Sequence, residues 1–422
     1  MQQCKIENNT IMKSIEKNRK TSNGVKLPTV KDIKNLKGKR VVLRLDFNVP
    51  IKNGKIVETM RIDRAMPTVE YLVKKKARVI ILSHIGKDAS SSLKPVVQYL
   101  NTLPATTYRS KKIGGDGGRE TMKVGFVPDF RSEAAHAVVD GLAEGGVVVF
   151  ENLRLDSREE ENDPALAKLL ASFGEVYVND AFAVSHRAHA SVVGITKYLP
   201  SYIGFLIEDE IKHLSMALKP KHPFLFILGG AKFETKMPLL KKFLKRADQI
   251  FVGGILANDF LHDEGLETGK SALDKYNFNL TPLLKKGKII LPIDVVVKNP
   301  DGKKTAVKNI NALSPEDSIM DVGPATIKNL AGILKKTKLA VWNGPLGYYE
   351  GGFDKGSIAL LNAITESKAT SIIGGGDTAV IVEKLGIEKK LSFVSTGGGA
   401  TLDYLEDGKL PALEAIAKCK KR

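Results

Sequence analysis

The chain has 422 residues, of which 43% are hydrophobic and 27% are charged, so it is long enough for two or three globular domains. No apolar run approaches the roughly 20 residues of a membrane-spanning helix, and the polar, basic residues 1–28 do not resemble a secretory signal. Lysine plus arginine exceeds aspartate plus glutamate by 18, which favours acidic partners such as phosphorylated metabolites or nucleotides. With only Cys4 and Cys419, a disulfide framework is excluded and a cytoplasmic protein is expected.

Short β-branched runs alternate with helical patterns along the whole chain, which predicts parallel βαβ units. The predicted strands of the first half are 40–46, 77–83, 146–150 and 176–180, and those of the second half are 223–228, 249–252, 289–297, 339–342, 371–373 and 391–395. This pattern predicts an α/β fold with two doubly wound, Rossmann-like parallel-sheet domains. Pro200 and Gly204 interrupt the pattern, so we expect a hinge at about 198–210 after a flexible extension at 1–28.

Ligands of open parallel sheets bind beyond the carboxyl ends of the strands. In the first half, these positions carry Asp46, Asn48, His84, Asn152, Arg154 and Asp180. Twelve of the fourteen arginines lie in residues 1–200, and arginine binds carboxylates and phosphates through two parallel hydrogen bonds. Together with Arg61 and Arg187, the rim of the first half therefore suits a small polyanion, although each residue taken singly is more often an ordinary surface residue or a structural partner in the core.

The second half instead places glycines after its predicted strands, at 229–230, 253–254, 344, 374–376 and 397–399. Without a Cβ atom, backbone N–H groups at a helix start can approach phosphate oxygens closely, although one such cluster alone could be a tight turn. Asp377 follows the third glycine of GGGDT and either caps the helix or holds Mg²⁺ against nucleotide phosphates. Lys232 and Lys236 stand four residues apart and form either an anion site or a solvated basic face.

Longer motifs in both halves resemble one enzyme family. RLDFNVP at 44–50, SHIG at 83–86, ENLR at 151–154 and NDAFAVSHRAHAS at 179–191 resemble signatures of the acid-binding domain of phosphoglycerate kinases. GGAK at 229–232, WNGPLGYYE at 342–350, GGGDTA at 374–379 and STGGGA at 395–400 resemble signatures of the nucleotide domain of the same family. The resemblance extends from about residue 29 to residue 413.

The resemblance implies reversible phosphoryl transfer between 1,3-bisphosphoglycerate and ADP, giving 3-phosphoglycerate and ATP with Mg²⁺, in glycolysis and gluconeogenesis. It implies a 3-phosphoglycerate domain at 29–200, a nucleotide domain at 201–406, a tail at 407–422 that packs back on the first domain, and a monomer. The residues implied for phosphoglycerate are Asp46, Asn48, Arg61, His84, Lys87, Arg154 and Arg187. The residues implied for the nucleotide are Gly230, Lys232, Lys236, Asn343, Pro345, Glu350, Gly375, Gly376, Asp377 and Thr378, with Asp377 on the metal.

Three positions depart from the family's pattern. Lys87 stands where the histidine loop of the family usually continues with arginine. The lysine keeps the positive charge but cannot form the two parallel hydrogen bonds of a guanidinium. Thr235 replaces a common aspartate, and Ala412 replaces the glycine of a Leu-Pro-Gly turn. None of these changes removes a group that the reaction requires.

The attacking group in this reaction is a carboxylate, which is already ionised at neutral pH, so we expect no general base. Catalysis then depends on positioning and on neutralising the charge of the transferring phosphoryl group. We expect Lys232 to follow that group, Arg61 to approach it from the acid side, and the helix starts at Gly376 and Gly399 to contribute N–H dipoles. Because the two ligand sets lie on separate domains, we expect closure about the hinge.

Two other interpretations are open. The charge of +18 could mark a protein that binds nucleic acid or another polyanion, but lysines are scattered through both halves and aromatic residues, at 6%, offer little for base stacking. We therefore expect no specific nucleic-acid partner. An inactive relative is the other interpretation, and among the site positions only Lys87 suggests it.

Overall fold

The computed structural model of the protein describes residues 26–86, 90–103, 123–231, 233–274, 279–298 and 304–419. These residues form two compact units. One unit contains the chain up to Lys212 together with the stretch from Lys409 onward, and the other contains His213–Gly408. The division lies inside a helix, Phe205–Leu218, rather than in a loop.

The first unit is built on a six-stranded sheet with the order β5-β6-β4-β1-β7-β8, in which every strand pair is parallel. A two-stranded hairpin, β2-β3, stands apart from this sheet. The strands are β1 Arg40–Arg44, β2 Ile51–Lys52, β3 Lys55–Ile56, β4 Arg78–Leu82, β5 Val124–Val127, β6 Val147–Phe150, β7 Val176–Asn179 and β8 Ser201–Ile203.

Successive residues of each central strand point to opposite faces of the sheet, because the side-chain period of a strand is two. Val41 and Leu43 of β1 therefore join one hydrophobic core, while Val42 between them joins the other. A sheet that is buried on both faces requires continuous apolar runs, and β4 and β6 have them. The predicted doubly wound arrangement of the first half is confirmed.

The second unit repeats the scheme with a parallel sheet in the order β11-β10-β9-β15-β16-β17. The sequence order of the strands reverses between β9 and β15, which is where doubly wound sheets bind their ligands. The strands are β9 Phe224–Leu228, β10 Gln249–Val252, β11 Ile289–Ile290, β12 Asp294–Lys298, β13 Thr305–Asn309, β14 Ser318–Val322, β15 Leu339–Asn343, β16 Thr370–Gly374 and β17 Phe393–Val394.

The single strand predicted at 289–297 is wrong. The run divides into β11, which joins the parallel sheet, and β12, which belongs to a separate antiparallel sheet in the order β13-β12-β14. Pro292 lies in the break, and proline cannot donate the ladder hydrogen bond that the interior of a central strand requires.

The helices connect and cover the strands. They are α1 Met60–Lys74, α2 Lys94–Leu100, α3 Glu133–Asp140, α4 Pro164–Ser172, α5 Phe205–Leu218, α6 Phe233–Arg246, α7 Gly254–Asp263, α8 Thr281–Leu284, α9 Pro324–Leu334, α10 Lys355–Glu366, α11 Gly376–Leu385, α12 Gly399–Asp407 and α13 Pro411–Lys418. None of the helices in the described ranges has the length and apolar character needed to traverse a bilayer. The last helix belongs to the first unit, where Ala412 packs with Ala181, Val184 and Val192.

Candidate active site

The loop after β1 and the start of α1 are joined by a buried carboxylate. Asp46 accepts a hydrogen bond from Arg61 Nη1 at 2.7 Å through Oδ2, and from the backbone N–H of Asn48 at 3.1 Å through Oδ1. Burial opposes ionisation of Asp46, but the charge of Arg61 and the hydrogen bond from the backbone N–H of Asn48 lower its pKa overall. Asn48 Oδ1 accepts from the backbone N–H of Gly86 at 2.9 Å, so the loop after β4 is tied to the same place.

His84 follows β4 and is held as a neutral ring. Arg44 Nη2 lies 3.2 Å from His84 Nδ1. Because a guanidinium can only donate, Nδ1 must accept, and the ring proton must lie on Nε2. Burial, followed by the charge of Arg44, lowers the pKa of His84 to about 3. His84 therefore offers a fixed N–H donor at neutral pH.

Arg44 is itself completely buried at the end of β1 and is held by a polar network. Its Nε donates to Ser191 Oγ at 2.9 Å, and Ser191 in turn donates from its backbone N–H to Glu159 Oε2 at 2.9 Å. Tyr177 donates to the backbone carbonyl of Ser191 at 2.7 Å. Burial lowers the pKa of Arg44 and raises that of Glu159, and the charge of each group opposes this effect in the other.

Two further arginines share one carboxylate. Arg154 lies in a short 3₁₀ turn, Leu153–Leu155, donates to the backbone carbonyl of Gly86, and pairs with Glu160 at 3.1 Å. Arg187 lies 4.0 Å from the same oxygen, Glu160 Oε1. The side chain of Arg154 is 8% exposed and that of Arg187 is 43% exposed, so Arg187 is the more accessible cation.

The contacts thus link six of the predicted phosphoglycerate residues in one region of the first unit: Asp46, Asn48, Arg61, His84, Arg154 and Arg187. Lys87 lies outside the described residues. Two other rim positions have structural contacts instead. Asn152 is buried and donates to the carbonyls of Ile85 and Ser91, while Asp180 accepts from the backbone of Ile207 near the start of α5.

In the second unit, the turns after β9 and β15 pack backbone against backbone. The N–H of Gly229 donates to the carbonyl of Asn343 at 2.9 Å, and the N–H of Gly230 donates to the carbonyl of Pro345 at 2.7 Å. A Cβ atom on Gly344, which has φ of +88°, would stand 2.5 Å from the carbonyl oxygen of Gly229. Only glycine fits this approach.

Helices α11 and α12 begin directly after glycines and have no side-chain cap. The residues that precede them, Gly375 and Gly398, have positive φ and cannot supply a side-chain acceptor to the first N–H groups. Thr378 Oγ1 and Asn343 Nδ2 are buried and make no hydrogen bond within the described part of the chain. Buried polar atoms in this condition require an explanation, and a phosphate ligand is one.

The charged groups of this turn region lie near one another. Lys236 in α6 is buried and donates to the carbonyl of Gly229. Burial, then the carboxylate of Glu350, raises the pKa of Asp377, while Lys236 acts in the opposite direction. Lys232 lies outside the described residues. Helix α6 begins at Phe233, the next residue of the chain.

A cavity of about 760 Å³ opens at these turns, all within the second unit. The predicted nucleotide residues that line it are Gly230, Lys236, Asn343, Pro345, Glu350, Gly375, Gly376 and Asp377, and Gly399 lines it as well. Thr378 is fully buried and lies under the turn, where a Cβ atom on Gly375 would be 3.5 Å from its Oγ1.

Three features of the structure were not predicted from the sequence: the Arg44 network, Glu160 and the cavity residue Asn258. An arginine at position 44 inside an apolar strand run was a usable signal, since buried arginines need a partner. Glu160, within the acidic run 159–161, gave no such signal, because its role depends on the folded turn at Arg154.

A family model described as phosphoglycerate kinase matches residues 30–409 of the chain. The chain is 40% identical to a phosphoglycerate kinase of Pseudothermotoga lettingae over 410 residues, which cover 93% of this chain and 99% of that protein. It is also 40% identical to a phosphoglycerate kinase of Thermosipho africanus over 407 residues, which cover 93% of this chain and 98% of that protein.

Solved structures agree with these sequence matches. The phosphoglycerate kinase from Coxiella burnetii superposes with a TM-score of 0.76 at 36% identity, and that from Pyrococcus horikoshii with a TM-score of 0.78 at 30% identity. Each match covers 92% of this chain and 98% of the other. The predicted family is therefore confirmed, and the chain belongs to the phosphoglycerate kinase family.

Proposed function

We propose that the chain catalyses its family's reaction with the acid held on the first unit and the nucleotide on the second. The reaction is reversible phosphoryl transfer between 1,3-bisphosphoglycerate and ADP, which gives 3-phosphoglycerate and ATP, and it follows from family membership. The observation that carries the residue assignment is that one chain has an arginine cluster in one unit and a glycine-lined cavity in the other.

The first unit suits 3-phosphoglycerate because its cations are already oriented by other residues. Arg61 is fixed by Asp46, and Arg154 by the carbonyl of Gly86. The Nε2–H of His84 adds a neutral donor that keeps its proton on one known atom. Oriented donors bind a carboxylate or phosphate with less entropy loss than free surface side chains do.

The second unit suits the phosphates of ADP or ATP. The uncapped starts of α11 and α12 present backbone N–H groups, and a helix N-terminus favours negative charge. Lys236 adds a buried cation, and Asn343 adds a donor that lacks a partner in the described structure. A phosphate chain in the cavity would satisfy these groups together.

The residues present also fit Mg²⁺ bound together with the nucleotide. Among the described residues, no three His, Cys, Asp or Glu side chains come together as a metal cage, so the protein alone does not enclose a cation. Asp377 offers one carboxylate at the cavity, with its pKa raised by burial, and Mg²⁺ is commonly held by one or two carboxylates plus phosphate oxygens and water. When bound, Mg²⁺ neutralises charge on the phosphate oxygens.

Transfer then needs positioning and charge neutralisation rather than a proton acceptor. The attacking carboxylate of 3-phosphoglycerate is ionised at neutral pH, and the loose transition state spreads charge over the equatorial oxygens. We assign to Lys232 and Arg61 the role of stabilising that negative charge, and the backbone N–H groups at Gly376 and Gly399 add to this stabilisation. The two units close on their ligands to bring the reacting atoms together and exclude water.

An assay with ATP, Mg²⁺ and 3-phosphoglycerate, coupled to detection of the acyl phosphate, tests this function. Wild-type protein should form the acyl phosphate only when all three are present. Lys232→Ala should lower kcat by roughly 100-fold or more while ATP still binds. The matched control is Lys241→Ala in α6, which should leave kcat unchanged. Near-normal kcat in Lys232→Ala would refute the role given to Lys232.

We also propose that the protein works as a monomer in the cytoplasm. The positions of its two cysteines near the chain ends are consistent with a reducing compartment. Sedimentation of the purified protein tests the monomer, and a second, heavier species at micromolar concentration would overturn it.

A further inference from the structure

The loop that follows β15 contributes to the lining of the cavity in the second unit. The lining residues at 343–350 are Asn343, Gly344, Pro345, Leu346, Gly347, Tyr348 and Glu350. Three of them, Asn343, Pro345 and Glu350, are among the residues predicted for the nucleotide. The affinity of the cavity should therefore depend on where this loop is held.

Two neighbouring elements hold the loop. The backbone N–H of Tyr348 donates to the carbonyl of Met320 in β14 at 2.8 Å. The backbone N–H of Leu346 donates to Ser357 Oγ, in the first turn of α10, at 2.9 Å. Strand β14 and the start of α10 thus set the position of the loop together.

Asp321, a buried residue of β14, joins these two elements. Its Oδ2 accepts from the backbone N–H of Gly356 in α10 at 2.8 Å, and its Oδ1 accepts from the backbone N–H of Val322 at 2.8 Å. Asp354, which precedes α10, makes no side-chain cap, so Asp321 supplies the missing acceptor from another element. Burial raises the pKa of Asp321 to about 6, although the two N–H donors act in the opposite direction. At neutral pH the carboxyl is therefore ionised, and both oxygens accept.

The carboxylate of Asp321 is also packed tightly between the loop and α10. A Cβ atom on Gly356 would stand 2.5 Å from Asp321 Oδ1. A Cβ atom on Gly347 would stand 2.6 Å from the same oxygen and 2.5 Å from the carbonyl oxygen of Phe353. A change in the hydrogen bonds of Asp321 should consequently displace the loop, the helix or both.

We propose that Asp321 is a positioning residue for the nucleotide, which sets the place of residues 343–350 in the cavity by capping α10 and packing against Gly347. This inference rests on the proposed function, since it concerns how the site for ADP or ATP is shaped. An amide at position 321 would place an NH₂ group against one of the two N–H donors. Nucleotide affinity should then fall, although both oxygens of Asp321 are directed to the backbone of the protein itself.

Asp294 provides a matched control, because it is a buried carboxylate that caps another helix of the same unit. It accepts from the backbone N–H groups of Ala325 at 2.9 Å and Thr326 at 2.8 Å, at the start of α9. A Cβ atom on Gly323 would stand 2.4 Å from Asp294 Oδ2, so this carboxylate is packed as closely as Asp321. Asp294 is not among the described residues that line the cavity.

Calorimetric titration of the full-length protein with Mg²⁺ and ADP, at neutral pH and below the melting temperature of each variant, tests the proposal. Asp321→Asn should raise the dissociation constant of ADP roughly tenfold, the order expected when a buried donor loses its partner. The KM for ATP should rise by a similar factor, while the KM for 3-phosphoglycerate stays unchanged. Asp294→Asn should lower the melting temperature but keep the wild-type affinity for ADP.

Gly356→Ala tests the same contact from the side of α10, since its Cβ atom would displace Asp321 Oδ1 while alanine favours the helix itself. It should raise the dissociation constant of ADP at least about threefold. Its control is Gly332→Ala in α9, where a Cβ atom meets nothing within 4 Å, and this variant should bind ADP as the wild type does.

Wild-type ADP affinity in Asp321→Asn would overturn the proposal, and so would an equal loss of affinity in Asp294→Asn. If Asp321→Asn does not fold, unchanged affinity in Gly356→Ala overturns it instead. Failure of the proposed function would appear separately, as wild-type protein that forms no acyl phosphate from ATP and 3-phosphoglycerate.

Discussion

The two units prepare for anionic ligands in opposite ways. In the first unit, the arginine side chains already have anionic or carbonyl partners, such as Asp46 for Arg61 and Glu160 for Arg154. In the second unit, the groups at the cavity are mostly backbone, and Asn343 and Thr378 keep buried polar atoms without a partner in the described structure. A ligand of the first unit must therefore replace or join existing contacts, whereas a ligand of the second unit supplies missing ones.

This difference has a physical basis. A charged side chain that is buried without a partner is very costly, which explains why an enclosed cation such as Arg154 is paired in the first unit. A backbone N–H at a helix start carries only a partial charge and costs less to leave open. Substitutions should accordingly affect the two units through different mechanisms, steric in the second and electrostatic in the first.

The largest effect should come from a side chain that disturbs the close backbone contact between Gly375 and Gly344 in the second unit. Gly375 has φ of +99°, and a Cβ atom there would stand 3.0 Å from the nitrogen of Gly344. Gly375→Ala should weaken ADP binding by roughly 100-fold, because the turn can no longer present the first N–H groups of α11. Calorimetry with Mg²⁺ and ADP measures this loss.

Gly386→Ala is the matched control for that prediction. Gly386 also has positive φ, +63°, but a Cβ atom there meets nothing within 4 Å. Gly386→Ala should lower the free energy of unfolding by about 1 kcal/mol through backbone strain and leave the ADP affinity unchanged. Equal losses of affinity in both variants would show that general backbone strain, and not the close approach at Gly375, limits binding.

The next effect concerns the pH dependence of stability in the first unit. His84 has its pKa lowered to about 3, whereas an unfolded histidine titrates near 6.5. As pH falls from 6.5 towards 3, the unfolded chain therefore gains a proton that the folded chain does not, and stability is lost. Between pH 7.5 and pH 5, wild-type protein should lose about 2 kcal/mol more of its unfolding free energy than His84→Gln.

Chemical denaturation followed by circular dichroism at the two pH values measures that difference. Glutamine can still accept from Arg44, so the comparison isolates the missing titration. An identical pH dependence in both proteins would contradict a His84 ring that stays neutral in the folded protein at pH 5.

A smaller effect should follow from replacing the planar guanidinium of Arg154 by the ammonium group of a lysine. Arg154→Lys keeps the charge but cannot hold the carbonyl of Gly86, Glu160 and a ligand with one planar group. The KM for 3-phosphoglycerate should rise about tenfold while the KM for ATP stays constant. The control is Arg158→Lys, whose native partner is Asp156 and which should change neither KM. A tenfold rise in the control would mean that the whole loop, and not Arg154, limits binding.

The smallest effect should come from the carboxylate that competes for these arginines. Glu160→Gln removes the negative charge shared by Arg154 and Arg187, so 3-phosphoglycerate should bind about two- to threefold more tightly. The matched control is Glu161→Gln, an exposed neighbour, which should leave the affinity unchanged. Weaker binding in Glu160→Gln would show that Glu160 orients the arginines more than it competes for them.

The sequence was sufficient for the strands and glycine turns that depend on local pattern. Local composition is enough to identify the apolar runs around Val41 and Phe226. It also identifies the glycines before α11 and α12. Edge strands β5 and β8 escaped prediction because one contains a glycine and the other has only three residues. The break at Pro292 escaped because the apolar run continues past it on both sides.

The contacts between distant residues could not be read from the sequence. Arg44 and Ser191 are 147 positions apart, and only the folded sheet shows that one fixes the other. The same is true of Asn258, because its sequence context does not show that its Nδ2 donates to the backbone carbonyl of Ala272. Local patterns therefore located the loops that carry the site, and packing decided how their side chains are arranged.

The central claim is that each unit binds its own ligand, and hydrogen exchange followed by mass spectrometry tests it most directly. With 3-phosphoglycerate alone, exchange should slow in peptides covering residues 44–48, 83–86 and 151–155 and stay unchanged in the second unit. With Mg²⁺ and ADP alone, it should slow at 228–231, 343–346 and 374–378 and stay unchanged in the first unit. Protection of the glycine turns by 3-phosphoglycerate alone, or of the arginine loops by ADP alone, would contradict the division.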